Sequence, residues 1–113
     1  MTAALLVFAG GGSGALLRYL ATLAIGGPLA TLCVNVAGSF AIGLLAARLP
    51  LDSHAARLLM TGLLGGFTTF SAFSLDTVLL AQRGQPGAAL AYAAASVILS
   101  LAAAALGLTL ARI

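Results

Sequence analysis

Charge is the scarcest property of this sequence. Lysine, glutamate and tryptophan are absent, and charged residues make up 6% of the 113 residues, whereas 62% are hydrophobic. Soluble domains carry about 25% charged residues, so this chain lacks the polar surface that a water-soluble monomer needs. The composition therefore predicts an integral membrane protein.

Reactive side chains are equally few. Cys33 is the only cysteine, so no disulfide can form within one chain, and we expect it to be a small buried packing residue. Asp52 and His54 are neighbours in a polar stretch, and no second carboxylate, metal cluster or activated nucleophile accompanies Asp76. The five arginines are scattered, which argues against nucleic-acid binding. We therefore expect no enzyme.

Long apolar runs predict an all-α integral membrane fold. A bilayer core of about 30 Å requires roughly 20 apolar residues in a helix. Four runs reach that length, at residues 2–25, 29–47, 55–81 and 88–111, and they form one domain over residues 1–113. The connections are short, so neighbouring helices are expected to be antiparallel. No basic residue precedes the first run, which is unlike a cleaved signal peptide.

The arginines give little preference for one orientation. Arg48, Arg57 and Arg112 are expected on one side of the membrane, and Arg83 with Arg18 on the other. Because a clear excess of basic residues normally sets topology, this near tie favours insertion in both orientations. A single orientation set by other factors is the alternative.

Small residues spaced four apart favour association of helices. The pairs are Gly10 and Gly14, Ser39 and Gly43, and Gly62 and Gly66. Such pairs let helix backbones approach closely. Together with dual insertion, they lead us to expect a homodimer.

Polar residues inside the spans are costly in a membrane and mark candidate functional positions. Arg18 could extend to the interface, attract anions or form a structural tie. Asn35 lies in mid-span with Thr31 one turn before it. In the last span, polar side chains stack along one face because they recur every four residues; they are Tyr92, Ser96 and Ser100. This ladder of neutral donors suits a small hydrated anion, although hydrogen bonding between helices is the alternative.

The stretch GGFTTFSAF, residues 65–73, forms a helix poorly by propensity. Gly65 and Gly66 predict that the third helix is broken near Gly65–Thr69, at mid-membrane depth, where freed carbonyls could coordinate a cation. Phe70 and Phe73 share a face just beyond it. Because the edge of a phenyl ring carries positive potential, these rings could attract an anion without a formal charge. Aromatic core packing is the alternative.

In order along the chain, GGGSGALLRYL, TLCVNVAGSF and GLLGGFTTFSAFS resemble the Fluc (CrcB) family of fluoride channels. The resemblance covers nearly the whole chain. It implies an antiparallel, dual-topology homodimer in the bacterial plasma (inner) membrane. Two parallel pores would export cytoplasmic fluoride passively and so relieve its toxicity.

The resemblance also assigns roles to residues. Pore positions would be Asn35, Phe70, Phe73, Tyr92, Ser96 and Ser100, with Thr31 beside them, and Arg18 would be the first-helix arginine. A structural Na⁺ at the dimer centre would be held by the backbone carbonyls of Gly65 and Thr68 from both subunits. Asp76 stands where some members have glutamate, and Ala104 stands where some have a hydroxyl, which leaves conductance open.

Two other functions remain in view. A small proton-coupled multidrug exporter also has four helices in about this length. That chemistry needs a carboxylate in the first helix, where this chain has Arg18 and no acid. A helix-packing membrane subunit is the other alternative, in which the polar ladder would serve only as adhesion between helices.

Overall fold

Four helical segments in the chain are long and apolar enough to cross a membrane, and there is no β-strand. The computed structural model describes all 113 residues. Its helices are α1 (Thr2–Ile25), α2 (Gly27–Arg48), α3 (His54–Ala56), the π-helix π1 (Arg57–Leu64), α4 (Gly65–Phe67), α5 (Phe70–Gln82) and α6 (Pro86–Arg112). The pieces from α3 to α5 form one span, His54–Gln82, hereafter the third span.

Two prolines lie inside helices rather than between them. Helices α2 and α6 each begin two residues before the position expected from the sequence. Pro28 and Pro86 therefore lie in the first turns of these helices. The first amides of a helix have no intrahelical acceptor, so proline loses no hydrogen bond there. Both prolines therefore start a helix instead of merely ending the preceding one.

The third span leaves helical geometry at two threonines. Thr68 has φ −85° and ψ 158°, and Thr69 has φ −152° and ψ 122°, so both have extended backbones. Within the range Gly65–Thr69 given by the sequence, the two threonines are extended, while Gly65 and Gly66 are helical. Gly66 is instead needed for packing, because a Cβ there would collide with the carbonyl of Gly11. The Thr69 hydroxyl accepts a hydrogen bond from the amide of Ala72 at 3.1 Å and caps α5.

Glycines hold the helices together within the chain. Helices α2 and α6 form the most extensive contact. A Cβ on Gly43 would collide with the carbonyl of Ala104, and a Cβ on Gly107 would collide with that of Phe40. The absence of side chains at these positions lets the two backbones touch.

The same closeness joins α1 to the third span. Gly10 and Gly62 approach so closely that a Cβ on either would lie 3.0 Å from the other's Cα. A Cβ on Gly14 would collide with the carbonyl of Leu63. The close approach of helix backbones expected at these glycines, and at Gly43, therefore occurs within one chain, and the homodimer stays a prediction. The small size of these glycines is already used to pack helices of one chain.

Apolar side chains point mostly away from the chain. Only 13 of the 113 residues are buried, and large hydrophobic residues are exposed along every span. Lipid solvates such side chains, so this distribution fits a membrane protein. Cys33, expected to be buried, is exposed, whereas Val34 and Gly38 of the same helix are buried.

Candidate functional site

A groove of about 450 Å³ lies beside the extended threonines. It is lined by α2, the third span and α6, and it gathers seven of the ten residues predicted for the site. Those seven are Asn35, Gly65, Thr68, Phe70, Phe73, Ser96 and Ser100. Residues from three separate spans therefore meet at one concave surface, which we call the central groove.

Asn35 binds the extended backbone directly. Its Nδ2 donates to the carbonyl of Thr69 at 2.9 Å, and its Oδ1 accepts from the amide of Thr69 at 2.8 Å. Inside a bilayer, each unpaired amide or carbonyl would destabilise the fold by roughly several kcal/mol. This one side chain replaces the helical partners of both groups. The second N–H of its amide is left to face the groove.

Two carbonyls next to the interruption lose their usual helical donors. In a continuous helix, the amide of Thr69 would donate to Gly65, and that of Ala72 would donate to Thr68. The amide of Thr69 donates instead to Asn35, and the amide of Ala72 donates to the hydroxyl of Thr69. The carbonyls of Gly65 and Thr68 are the two that the sequence suggested as cation ligands.

Three aromatic rings form a row along one side. The centroids of Phe70 and Phe73 are 5.4 Å apart at an interplanar angle of 56°, and those of Phe73 and Tyr92 are 5.6 Å apart at 40°. Tilted rings at this spacing present edges, where their potential is positive. Phe70 is 78% exposed, so one end of the row has no covering within the chain.

The α6 ladder contains an unsatisfied hydroxyl. Ser96 is buried, and its Oγ has no hydrogen-bond partner. Buried polar atoms in folded proteins are nearly always paired, so this hydroxyl is an exception that requires a reason. Ser96 and Ser100 both line the central groove.

Asp76 is the residue whose place the sequence did not predict. Its Oδ2 accepts hydrogen bonds from the Thr31 hydroxyl at 2.8 Å and from the Tyr92 hydroxyl at 3.2 Å. Thr31 and Tyr92 are thus joined at the carboxylate and do not line the groove. The available signal was spacing, because Asp76 follows Phe73 by three residues and so shares its helix face.

Arg18 contacts the third span from α1. Its Nε donates to the carbonyl of Gly66 at 3.2 Å, and the side chain is part-buried. It does not line the central groove. Of the roles considered for it, the structural tie has a contact in this structure, whereas attraction of anions stays a prediction.

Comparison with known proteins adds to this geometry. Residues 5–108 match the family described as CrcB-like protein, Camphor Resistance (CrcB). The chain belongs to the CrcB-like family. Several proteins similar to this chain carry the name "Fluoride-specific ion channel FluC". One from Paracoccus denitrificans (strain Pd 1222) is 52% identical over 110 residues, covering 91% of this chain and 89% of the relative.

Two further CrcB-like relatives with the same name are similarly close. The protein of Rhodospirillum centenum (strain ATCC 51521 / SW) is 50% identical over 121 residues, and that of Chelativorans sp. (strain BNC1) is 50% identical over 118 residues. Each alignment covers 96% of this chain and 94% of the relative. The family is one of ion channels rather than an enzyme class. This CrcB-like chain is a multi-pass membrane protein.

Proposed function

We propose that this protein is a passive, fluoride-selective channel of the bacterial plasma membrane that exports cytoplasmic fluoride and so relieves its toxicity. The central groove carries the proposal. It brings the unpartnered hydroxyl of Ser96 together with Asn35 and two phenyl rings from a different span. Three relatives named as fluoride-specific channels support the choice of ion.

The chemistry of the groove suits a small anion. Fluoride leaves water only where other donors replace its hydration shell. The hydroxyls of Ser96 and Ser100 and the free N–H of Asn35 offer neutral donors, and the edges of Phe70 and Phe73 add positive potential. Because no formal positive charge lines the groove, an anion would not be held too tightly to leave.

Assembly as an antiparallel homodimer is part of the proposal. Phe70 is 78% exposed beside a groove that is open on one side. A second copy in the opposite orientation would cover this face and give two equivalent pores. The near tie of arginines on the two sides permits both orientations.

A structural Na⁺ fits the residues at the interruption. Hard cations prefer oxygen ligands, and the carbonyls of Gly65 and Thr68 have lost their usual helical donors to side chains. Two carbonyls from each subunit would give the ion four oxygens at the dimer centre. The ion would supply a fixed positive charge that joins the subunits, while Asn35 and the capping Thr69 keep the carbonyls free.

Ion efflux from liposomes containing only the purified protein tests the proposal. Vesicles loaded with fluoride are compared with vesicles loaded with chloride, and a potassium ionophore balances the charge. We expect fluoride to leave rapidly and chloride to remain. A folded dimer that releases neither ion would refute the channel.

Substitution of the phenylalanines tests the pore itself. Phe70→Ile and Phe73→Ile keep apolar bulk but remove the positive ring edge. We expect each variant to form the dimer and to conduct fluoride about tenfold more slowly, equivalent to roughly 1.4 kcal/mol. Phe8→Ile is the control, since Phe8 is 82% exposed and outside the central groove. Normal flux in both groove variants would contradict the assignment.

A further inference from the structure

A second groove, of about 670 Å³, lies at the end of the chain that carries the loop between α2 and the third span. Its lining includes Val7 and Phe8 of α1, Leu51 of the loop, and Arg57 and Thr61 of π1. Phe8 is 82% exposed and Leu51 is 71% exposed. This surface, which we call the loop-end groove, shares no residue with the central groove.

The two polar side chains of this groove have no partner in the chain. Among the arginines, Arg18 and Arg48 donate to backbone carbonyls, but Arg57 does not. The hydroxyls of Thr22 and Thr109 each donate to the carbonyl four residues earlier. Thr61, which is exposed in π1, makes no such bond. A cation and a hydroxyl are therefore both free at one groove.

The residues that line the loop-end groove lie at different distances from the loop end of their helices. Arg57 lies three residues after the start of the third span, about 5 Å along the helix axis. Phe8 lies six residues after the start of α1, about 9 Å along its axis. The charge of Arg57 thus starts nearer the loop end than Phe8 does, with Leu51 at the loop, whereas Thr61 lies about 10 Å along the axis, at a level similar to that of Phe8.

We propose that the loop-end groove binds one phospholipid with an anionic headgroup. Its phosphate contacts the guanidinium of Arg57 and the hydroxyl of Thr61, and an acyl chain covers Val7 and Phe8. Charge complementarity selects the headgroup, since the groove contains one arginine and no acid. The open apolar lining accepts the tail.

Native mass spectrometry of the purified protein tests this site without any measurement of ion flux. Phosphatidylglycerol and phosphatidylcholine with identical acyl chains are titrated separately. We expect one saturable phosphatidylglycerol per chain and weaker binding of phosphatidylcholine. Arg57→Gln should raise the Kd for phosphatidylglycerol about fivefold, and Thr61→Val should raise it roughly threefold. Arg112→Gln, at the same membrane end but outside the groove, should leave the Kd unchanged.

Several results would overturn the site. The first is an equal Kd for phosphatidylglycerol in Arg57→Gln and in the unsubstituted protein. The second is a rise in that Kd in Arg112→Gln as large as in Arg57→Gln. The third is equal affinity for the two lipids. Displacement of the lipid by inorganic phosphate alone would reduce the groove to a site for free anions. Lipid binding by monomers but not by dimers would assign the groove to a second copy. Because Thr61→Val changes one exposed hydroxyl, it keeps the test decisive if Arg57→Gln does not fold.

Discussion

Helices α2 and α6 run without interruption for 22 and 27 residues, and glycines bring their backbones into contact. The third span covers a similar length, yet it changes from π-helix to α-helix and becomes extended at Thr68 and Thr69. In the first region the backbone satisfies its own hydrogen bonds. In the second, side chains such as Asn35 must do so.

The difference explains where polar chemistry collects in this protein. A continuous helix consumes its amides and carbonyls, so it offers a membrane ion only side chains. An interrupted helix exposes backbone groups, and it needs polar side chains from neighbouring spans to remain stable. Asn35 lies at the groove beside the interruption for this reason. The regular α2–α6 contact, which we call the frame, is the part of the fold against which the interrupted third span packs.

The largest effect is expected from disrupting the frame. Gly43→Val places a Cβ against the carbonyl of Ala104, and neither backbone can move without separating α2 from α6. We expect a loss of about 3 kcal/mol or more, read as a lower thermal midpoint and aggregation during size-exclusion chromatography. The control is Gly12→Val, because a Cβ there meets nothing within 4 Å. Equal stability of the two variants would contradict the proposed role of the close contact.

A smaller but specific effect is expected at the interruption. Asn35→Asp keeps an acceptor for the amide of Thr69 but removes the donor to its carbonyl, and it adds a negative charge at the groove. We expect destabilisation by about 2 kcal/mol and loss of fluoride efflux. Asn35→Ala should destabilise further, since both groups of Thr69 lose their partner. Thermal unfolding and liposome efflux measure the two consequences. If Asn35→Ala were as stable as the unsubstituted protein, the proposed stabilisation of the Thr69 backbone by Asn35 would be wrong.

The smallest change in stability is expected at Ser96. The sign of that change distinguishes a residue that stabilises the fold from one that serves an ion. Ser96→Ala removes a buried hydroxyl that has no partner, so we expect unchanged stability or a gain of about 1 kcal/mol. Fluoride efflux should nevertheless fall. Thr109→Ala is the control, because its hydroxyl is exposed and already bonded to the carbonyl of Ala105. A clear loss of stability in Ser96→Ala would indicate that the hydroxyl serves packing rather than an ion.

Local patterns predicted the spans well and the partners of their residues poorly. The four apolar runs appear as four membrane-length helical segments. By contrast, the glycine spacing did not show which helices would meet, and Cys33 is exposed rather than buried. Spacing shows that a residue is small or apolar. It does not show which helix that residue will face.

For the site as well, the sequence identified candidate residues but not the hydrogen bonds between them. Asn35, Phe70, Phe73 and the serines of α6 could be selected as candidates because polar and aromatic groups are unusual within apolar spans. The connection of Asp76 to Thr31 and Tyr92 could not be selected. Its partners lie 45 and 16 residues away in sequence, and no local pattern joins positions so far apart.

By itself, the sequence determined that this chain crosses a membrane four times with almost no charge, because the cost of transferring each side chain into lipid depends on that residue and its near neighbours. Within the break expected near Gly65–Thr69, only the tertiary structure decided that Thr68 and Thr69 are extended and that Gly65 and Gly66 stay helical. The physical reason is that Asn35, 34 residues away, supplies both hydrogen bonds that the backbone of Thr69 needs. Gly66 remains helical because α1 requires its small size for close packing.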